Sequence, residues 1–498
     1  MFGFGRTPGQ RLPVDAKARS LAHRREIAWL SEASVRSEAR QHGYRLGSQD
    51  QPGISIGRPV RRGGKLYGSL LQSHVDIWGP RRGKTTSRVI PAVVEAIGPV
   101  LLTSTKRDAV DATRDVREAK GSPVFVFDPQ GVAEPEPEAE AAFCWDPLAW
   151  IDPERPGAEA RAAKLAAHFA CGADIAVAGS DPDYLTTAED LLAGLLLAAA
   201  VACRTIVEVV DWIASPRSAE PIELLRRSGK HWAATFVASQ YQLDYRSQER
   251  LFGTALRMVS CLRNPEIHPW IVPGSRPLFD ELAFLRDNGT LYALTPHERG
   301  SAAPLVSALA DAIIDVAIRE ADRSPHGHLA VPLLAIFDDA ACTARRRDLP
   351  ALYPRLGPRG ITAMTMLQSW SQGAHCWGPD GMADLWSAAD IRVVGSGLDD
   401  IDFLHPRLRT ARPGRNQFTP TDLLLLPRDR FLVIPADARP ALTRALPWWQ
   451  GAYAEEIRNS LANREIGAQP PPVSELPAET PDDTEDTSYG RIAEIRPL

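Results

Sequence analysis

The stretch DIWGPRRGKTTSRVIPAV, residues 76–93, decides the fold, because it has the form of a phosphate-binding loop between a strand and a helix. Its spacing is G-x-x-x-G-K-T, one residue shorter than the usual G-x-x-x-x-G-K-[ST]. The missing residue removes one backbone N–H from the phosphate cradle. Three interpretations are open: the loop is a working nucleotide site, a vestige of one, or a chance match.

The residue types in this loop match the contacts that a nucleotide needs. Gly79 and Gly83 let the backbone turn around an anion at the start of the helix. Lys84 would reach the β- and γ-phosphates of ATP, and Thr85 would ligate Mg²⁺. Thr86 belongs to the same run, and we assign all of these residues to cofactor binding.

Composition and charge are those of an ordinary globular protein. The chain has 498 residues, of which 44% are hydrophobic and 24% charged. The net charge of -5 creates no global basic field, so contact with nucleic acid needs a local patch or an oligomeric ring. The basic excess between Arg6 and Lys65 is either a patch for phosphate or anionic lipid, or a solvated arm.

Cysteine spacing and apolar runs argue against several other classes. The 6 cysteines form no C-x-x-C pair, which disfavours a zinc site or a disulfide framework and is typical of a reducing compartment. We expect no signal peptide, because the first residues lack an apolar core. The longest apolar run, from Leu191 to Cys203, is too short to cross a membrane and predicts a buried helix.

Alternating strand and helix patterns predict an α/β fold on a parallel sheet. Apolar runs at 74–78, 99–104 and 122–129 indicate strands; helical periodicity then dominates until about Arg263, and strand signals return between 289 and 435. We therefore expect a basic helical arm and linker (1–66), the first part of an α/β domain (67–152), an inserted all-α domain (153–275), the second part of the α/β domain (276–455) and a disordered, acidic, Pro-rich tail (464–498).

Acidic and amide side chains stand at the ends of two predicted strands. In the run VPLLAIFDDAA an apolar strand is followed by Asp338 and Asp339, of which one would hold Mg²⁺ and the other would polarise an attacking water. The alternative is that either aspartate only caps the next helix. The run GITAMTMLQSWSQ delivers Gln368, which would sense the γ-phosphate unless it is an ordinary surface residue. The long separation of Lys84 from Asp338 indicates an inserted domain.

Taken together, these segments resemble the type IV coupling proteins of bacterial conjugation and type IV secretion, the TraG/TraD family. In that family the loop is followed by T-S-x-V-I-P, and TTSRVIPAV stands in the same place here. The match continues in order from about Gly53 to Trp449, with VFVFDP, CWDPLAWI, IFDDAA, RLGPRGITAMTMLQSWSQ and FTPTDLLLLPRDRFLVIP. Several matched segments in the right order are more specific than a glycine loop alone.

The resemblance implies a RecA-like P-loop nucleotide-binding domain with a mostly parallel sheet, interrupted by an all-α domain. It implies a homo-hexamer that couples the hydrolysis of ATP, with Mg²⁺, to the delivery of DNA or a relaxase–DNA complex to the proteins of a type IV secretion channel. By position, Asp338 takes the magnesium role, Asp339 the water-activating role and Gln368 the sensor role. Arg359, or nearby Arg355, would be an arginine finger for the neighbouring subunit, the alternative being an ordinary surface arginine.

Three features depart from the family pattern. The loop is short, and Asp339 stands where the family usually has Glu, which sets its carboxylate back from the water it should polarise. Family members commonly begin with membrane-spanning helices, which this sequence does not suggest. Attachment would then come from a separate membrane anchor, from the basic arm, or not at all, so we expect a cytoplasmic chain, free or peripheral at the inner face of the bacterial cell membrane.

Three functions are compatible with these features. The first is an ATPase that moves DNA, and the second is a weakened or inactive family member that recruits substrate or docks on the channel. The third, a double-stranded DNA pump of the FtsK type, ranks last because no terminal winged-helix pattern is visible. In the helical domain, Trp232, Tyr241 and Tyr245 would contact a partner or, more simply, pack in the core.

Overall fold

One sheet of eleven strands organises the part of the chain that the structure describes, which is residues 12–61, 63–133, 142–172, 182–404 and 418–464 of a computed structural model. The strands are β1 (Ile54–Pro59), β2 (Leu66–Gly68), β3 (His74–Ile77), β4 (Val100–Ser104), β5 (Val124–Phe127), β6 (Thr290–Leu294), β7 (Leu333–Phe337), β8 (Ile361–Leu367), β9 (Ile391–Val394), β10 (Arg430–Pro435) and β11 (Ala441–Arg444). Their order across the sheet is β2-β1-β11-β10-β9-β3-β8-β7-β4-β6-β5.

The helices connect the strands and cover the sheet. They are α1 (Pro13–Lys17), α2 (Glu32–Gln41), α3 (Ile90–Glu95), α4 (Asp108–Ala119), α5 (Pro147–Ile151), α6 (Ala158–Gly172), α7 (Pro182–Val201), α8 (Ile206–Ala214), α9 (Glu220–Arg227), α10 (His231–Tyr241), α11 (Tyr245–Met258), α12 (His268–Ile271), α13 (Glu281–Arg286), α14 (Ala303–Arg323), α15 (Ala340–Thr343), α16 (Leu349–Leu356), α17 (Trp370–Ala388), α18 (Pro420–Leu424) and α19 (Ala454–Arg464). Helices α5 to α13 all fall between β5 and β6.

The sheet is parallel over most of its width. The strands from β9 to β5 pair in parallel, whereas β2, β1, β11, β10 and β9 are joined by antiparallel pairings. Both faces are buried, since Leu101 belongs to one apolar cluster and its neighbours Val100 and Leu102 belong to another. Burial on both faces explains the continuous apolar runs in the sequence. The predicted α/β fold with a mostly parallel sheet is confirmed.

The predicted linker within residues 1–66 contains part of the sheet. Strand β1 lies there and pairs with both β2 and β11. The sequence did not indicate β1, β2 and β11. All three are antiparallel and only three to six residues long, which is too short for a clear alternation of apolar and polar side chains. Residues 1–11 of the predicted arm and 465–498 of the predicted tail lie outside the described residues.

The helix after the phosphate-binding loop begins with an irregular turn. Thr85–Val89 form one π turn, in which the N–H of Ile90 donates to the carbonyl of Thr85, and α3 continues from it. The sequence predicts a helix over 84–97 that bends or breaks at Pro91, a residue that has no N–H for the helical ladder. The change from π to α geometry comes directly before this proline.

The predicted buried helix over the apolar run is confirmed. Asp183–Val201, within α7, is the one helix in the described ranges that is long and apolar enough to cross a membrane. It lies inside the helical block and packs against α6 and α11. Leu191, Leu195 and Ala198 are fully buried there, so its apolar residues form the core of this block.

Two aromatic side chains of the helical block do not pack in its core. Trp232 is 87% exposed and Tyr245 is 74% exposed. Tyr241 packs against Phe252 with ring centroids 5.2 Å apart. The packing interpretation therefore holds for Tyr241 and is wrong for Trp232 and Tyr245, which lie at the exposed ends of their helices.

A buried ion pair fixes the π turn that precedes α3 against the sheet. Asp76 on β3 and Arg88 in the π turn are both inaccessible to solvent, and Arg88 Nε donates to Asp76 Oδ2 over 2.7 Å. Arg88 also donates to the carbonyl of Ser55 on β1 and, over 3.1 Å, to Nδ1 of His74. Burial, and then the charge of Arg88, hold the pKa of His74 well below its usual value, so the imidazole is neutral and can accept. One guanidinium thus joins β1, β3 and the helix.

Removal of this guanidinium should destabilise the fold strongly. Arg88→Ala leaves the carboxylate of Asp76 buried without its partner, which costs about 3–5 kcal/mol. Urea unfolding followed by circular dichroism measures the loss. Arg227→Ala is the control, because its pair with Glu223 is on the surface, with side chains 72% and 52% exposed, and such pairs contribute about 0–1 kcal/mol. Equal losses in the two variants would contradict the structural role of the buried pair.

Candidate functional site

Four strand ends converge at one edge of the sheet. The strands β3, β8, β7 and β4 are neighbours and run parallel, so their carboxyl ends meet. The polar residues that follow these strands in the chain are Lys84, Gln368, the pair Asp338 and Asp339, and Thr105. The sheet therefore brings together side chains that are far apart in sequence.

Lys84 lies between the two aspartates. Its Nζ is 2.9 Å from Oδ1 of Asp338 and 2.8 Å from Oδ1 of Asp339. The three side chains are buried, with 11% of Lys84 and 4% of each aspartate exposed. Burial alone would lower the pKa of Lys84, but the two carboxylates raise it above its usual value. The ammonium group is therefore held as a cation, next to Thr85 at the start of the π turn.

Asp339 is held in place by three side chains. Besides Lys84, Nε2 of Gln368 donates to its Oδ1 over 3.0 Å, and the hydroxyl of Thr105 donates to its Oδ2 over 3.0 Å. Burial would raise the pKa of Asp339, but the charge of Lys84 and the hydrogen bond from Gln368 lower it to about 2. The carboxylate is thus ionised and oriented from both of its oxygens.

Backbone conformation turns Asp339 toward this site. Its φ is +51°, in the left-handed region, which aspartate tolerates better than most residues. Asp339 occupies the N-cap position of α15, yet its side chain makes no capping hydrogen bond. Asp339 is therefore not a simple helix cap.

Asp338 is fixed by its neighbours on β4. The carbonyl of Thr103 accepts the N–H of Asp338 over 2.9 Å, and the hydroxyl of Ser104 is 3.3 Å from Oδ2 of Asp338.

The glycines of the shortened loop are required by close backbone contacts. The N–H of Gly79 donates to the carbonyl of Ser396 over 3.1 Å, and a Cβ on Gly79 would lie 2.1 Å from the carbonyl oxygen of Gly397. Gly83 has a φ of +95°, which favours glycine. The hydroxyl of Thr86 donates to the carbonyl of Gly83 over 3.2 Å, so it closes the loop on itself. The loop is clamped by the turn after β9.

The sequence did not single out Thr105, Ser104 or the turn at 395–397 as parts of this site. Thr105 and Ser104 end the run LLTST, and a hydroxyl at the carboxyl end of a parallel strand is the signal that could have found them. The turn has no comparable signal beyond its two glycines, because its role depends on which strand lies next to β3.

The arginine predicted as a finger lies outside this site. Arg359 precedes β8, so it is at the amino edge of the sheet, whereas Lys84 and Gln368 follow their strands at the carboxyl edge. Its Nε donates to Oδ1 of Asp322 over 2.8 Å, and its Nη1 donates to the carbonyl of Arg355 over 3.1 Å. Within the chain, neither arginine contacts Lys84 or the aspartates.

Two family models match the chain. The model described as Type IV secretory system Conjugative DNA transfer matches residues 29–231, and the model described as TraM recognition site of TraD and TraG matches residues 332–406. Together they cover more than half of the sequence. A search of the curated proteins gives no match.

Solved structures of a coupling protein share the fold. The plasmid coupling protein TrwB in complex with the non-hydrolysable ATP analogue ADPNP matches with a TM-score of 0.58 and 12% identity, over 84% of this chain and 92% of that chain. TrwB with ADP and Mg²⁺ and the unbound monoclinic form of TrwBdeltaN70 match over the same shares, with TM-scores of 0.56 and 0.55 and 13% identity. The predicted RecA-like P-loop fold is confirmed. With both family models matching in order along the chain, this protein belongs to the type IV coupling protein family of conjugative DNA transfer.

Proposed function

We propose that this chain is an ATP-dependent coupling protein that moves DNA or a relaxase–DNA complex to a type IV secretion channel by ATP hydrolysis. The observation that carries the proposal is the joint contact of Lys84, Asp338, Asp339 and Gln368 at the carboxyl edge of the sheet. Phosphoryl transfer needs a cation for the phosphates, a ligand for Mg²⁺, a group that activates water and a group that positions it. The four side chains supply one of each.

The residues around Lys84 fit a magnesium nucleotide. Thr85 and Asp338 offer the hard oxygen ligands that Mg²⁺ prefers. Mg²⁺ takes one or two protein oxygens and otherwise phosphates and water, so these two ligands suffice. The fold is that of TrwB, which has been solved with ADP and Mg²⁺. When bound, Mg²⁺ would neutralise charge on the phosphate oxygens.

Lys84 also controls the basicity of Asp339. Burial raises the pKa of Asp339, but the charge of Lys84 and the hydrogen bonds from Gln368 and Lys84 together outweigh burial and hold the pKa at about 2. A carboxylate with so low a pKa is a poor proton acceptor at neutral pH. If Lys84 leaves Asp339 for a phosphate, the basicity of the carboxylate rises while Gln368 and Thr105 keep it in place. Asp339 would then activate water only when Lys84 contacts the phosphate.

A second candidate function is a family member that binds substrate or channel without hydrolysing ATP. The shortened loop favours it, because the backbone offers one N–H fewer and the hydrogen bond from Gly79 to Ser396 holds that end of the loop against the turn after β9. The charge of Lys84 is also already matched by two carboxylates. This candidate predicts that transfer in cells is insensitive to replacement of Lys84.

The assembly that we propose is that of the family. The chain would act as a homo-hexamer, free in the cytoplasm or peripheral at the inner face of the cell membrane, with channel proteins and, where it is peripheral, a separate membrane anchor as partners. Arg359 enters this proposal only through a neighbouring subunit, because within its own chain it is bonded to Asp322 at the opposite edge of the sheet.

Replacement of Lys84 tests nucleotide use. The purified chain should hydrolyse ATP faster when DNA is added, and Lys84→Ala should lower the rate by about a hundredfold or more, since it removes the cation from the phosphates. Phosphate release measures the rate. Lys164→Ala is the control, because that ammonium pairs with Asp315 between α6 and α14 and should leave the rate unchanged. A chain that binds no ATP at millimolar concentration would rule out the proposal.

Replacement of Asp339 separates the two candidate functions. Asp339→Asn should lower kcat by about a hundredfold or more, because an amide cannot accept the proton from water. Asp339→Glu should raise kcat several-fold above the parent chain, because it restores the reach of the usual glutamate. Steady-state ATPase kinetics of the three proteins check this. Equal kcat values in all three would show that Asp339 does not act on the water, whereas hydrolysis at the background rate in all three would favour the binding module.

The Lys84–Asp339 contact should also appear in the pH dependence of stability. The folded pKa of Asp339 is about 2 and its usual value is 3.8, so the contact stabilises the fold above about pH 4 and is lost as the pH falls toward 2. Near neutral pH, Asp339→Asn should lower the free energy of unfolding by on the order of 2 kcal/mol. Urea unfolding at pH 6 and pH 3 measures the difference, which should shrink at the lower pH. A constant difference would contradict the depressed pKa.

A further inference from the structure

A cavity lies at the opposite edge of the sheet from Lys84. It has a volume of about 750 Å³ and is lined by residues that precede β4, β6 and β7 in the chain, among them Ile97, Asn288 and Pro332. The segment after α2 and the end of α4 complete its wall. No residue of the candidate nucleotide site lines this cavity.

Basic side chains dominate the wall of this cavity. Two acidic residues, Asp50 and Asp287, also line it, and the carboxylate of Asp50 already accepts the N–H of Gly47 over 2.7 Å. The basic side chains are Arg45, Arg117, Lys120, His42, His326 and His328. The cavity therefore carries an excess of groups that can face an anion.

Arg117 contributes a buried positive charge that lacks a carboxylate partner. Its guanidinium donates to the carbonyls of Ala96 and Gly98, each over 2.8 Å, and to the hydroxyl of Thr290 over 2.8 Å. The residue is only 3% exposed. Burial lowers the pKa of Arg117 because none of these neutral acceptors compensates its charge. An anion in the cavity would supply that compensation.

Lys120 at the end of α4 is likewise held by uncharged groups. Its Nζ donates to the carbonyl of Val94 and lies 4.2 Å from the centre of the Tyr453 ring. Neither partner carries a negative charge, so the charge of Lys120 still attracts an anion. The carboxylate of Glu95, on which the charge of Lys120 also acts, pairs with Lys65 over 3.0 Å. The contacts of Nζ with Val94 and Tyr453 therefore position the ammonium group at the cavity.

Three imidazoles and a phenol form a polar cluster on the same wall. The rings of His326 and His328 stack with centroids 5.8 Å apart, and His328 also contacts Tyr44 at 5.1 Å and His42 at 6.3 Å. The Tyr44 hydroxyl is buried and has no hydrogen-bond partner among the described residues. Imidazole N–H groups and a phenol are donors that suit phosphate oxygens.

We propose that this cavity binds a phosphate-bearing anion. Its volume suits a ligand between pyrophosphate and the headgroup of an anionic phospholipid in size. Free phosphate compounds and lipid headgroups share this chemistry, and the experiment distinguishes them. The proposal stands independently of nucleotide binding, because the two sites lie at opposite edges of the sheet and share no residue.

The binding test uses the full chain with Lys84→Ala, so that pyrophosphate bound at the nucleotide site is not counted. Isothermal titration with pyrophosphate should show binding that the double variant Arg45→Ala and Lys120→Ala weakens by tenfold or more. Asp287→Asn should strengthen it several-fold, since a negative charge leaves the wall. Arg227→Ala, a surface change on α9 outside this cavity, should have no effect.

Vesicle flotation identifies the source of the phosphate. If the ligand is a lipid headgroup, the same Lys84→Ala chain floats with phosphatidylglycerol vesicles and not with phosphatidylcholine vesicles, and the double variant does not float. If the ligand is free, pyrophosphate binds and neither vesicle does. Circular dichroism checks that the double variant is folded, and Asp287→Asn keeps the test decisive if it is not. The proposal is overturned if neither probe binds, or if binding is the same in the parent, the Asp287→Asn chain and any folded double variant.

Discussion

The parallel pairing of β3, β8, β7 and β4 is the constraint on which the candidate site depends. Only when these strands run in the same direction and in this order do residues from four distant segments meet at one edge. The guanidinium of Arg88 contributes to this order, since it hydrogen-bonds from the π turn to both β1 and β3. A change that shifts β3 against its neighbours would separate Lys84 from the aspartates even if every site residue were retained.

The charges at this edge are unequal, and the imbalance has consequences for a phosphate ligand. Two carboxylates, Asp338 and Asp339, face one ammonium group, Lys84, so the three side chains together are negative. A nucleotide adds further negative charge, which the charge of Lys106 near Asp339 and a divalent cation that arrives with the nucleotide would offset. At the other edge of the sheet the balance is reversed, and Arg117 is buried without a carboxylate. The two edges thus offer different electrostatic environments to anions.

Much of the fold and most residues of the candidate site could be predicted from the sequence. The runs before Asp338 and Gln368 are long and apolar because both faces of the sheet are covered, so those strands and their end residues were visible. Thr105 was missed because hydroxyl side chains are common at strand ends, and only the contact with Asp339 distinguishes it. The position of Arg359 follows from chain direction, since a residue before a parallel strand lies at the opposite edge from a residue after it. The basic cavity could not be predicted, because its wall comes from segments that only the folded sheet brings together.

The π turn at Thr85–Val89 offers an account of how a shortened loop remains compatible with this fold. A π turn holds one residue more than an α turn over nearly the same rise. The loop is one residue shorter than the usual pattern and the turn after it is one residue longer, so Ile90 and the rest of α3 stand as many residues after β3 as they would after a full-length loop and an α turn. The length of the glycine loop and the geometry of the following turn thus offset each other before α3 begins.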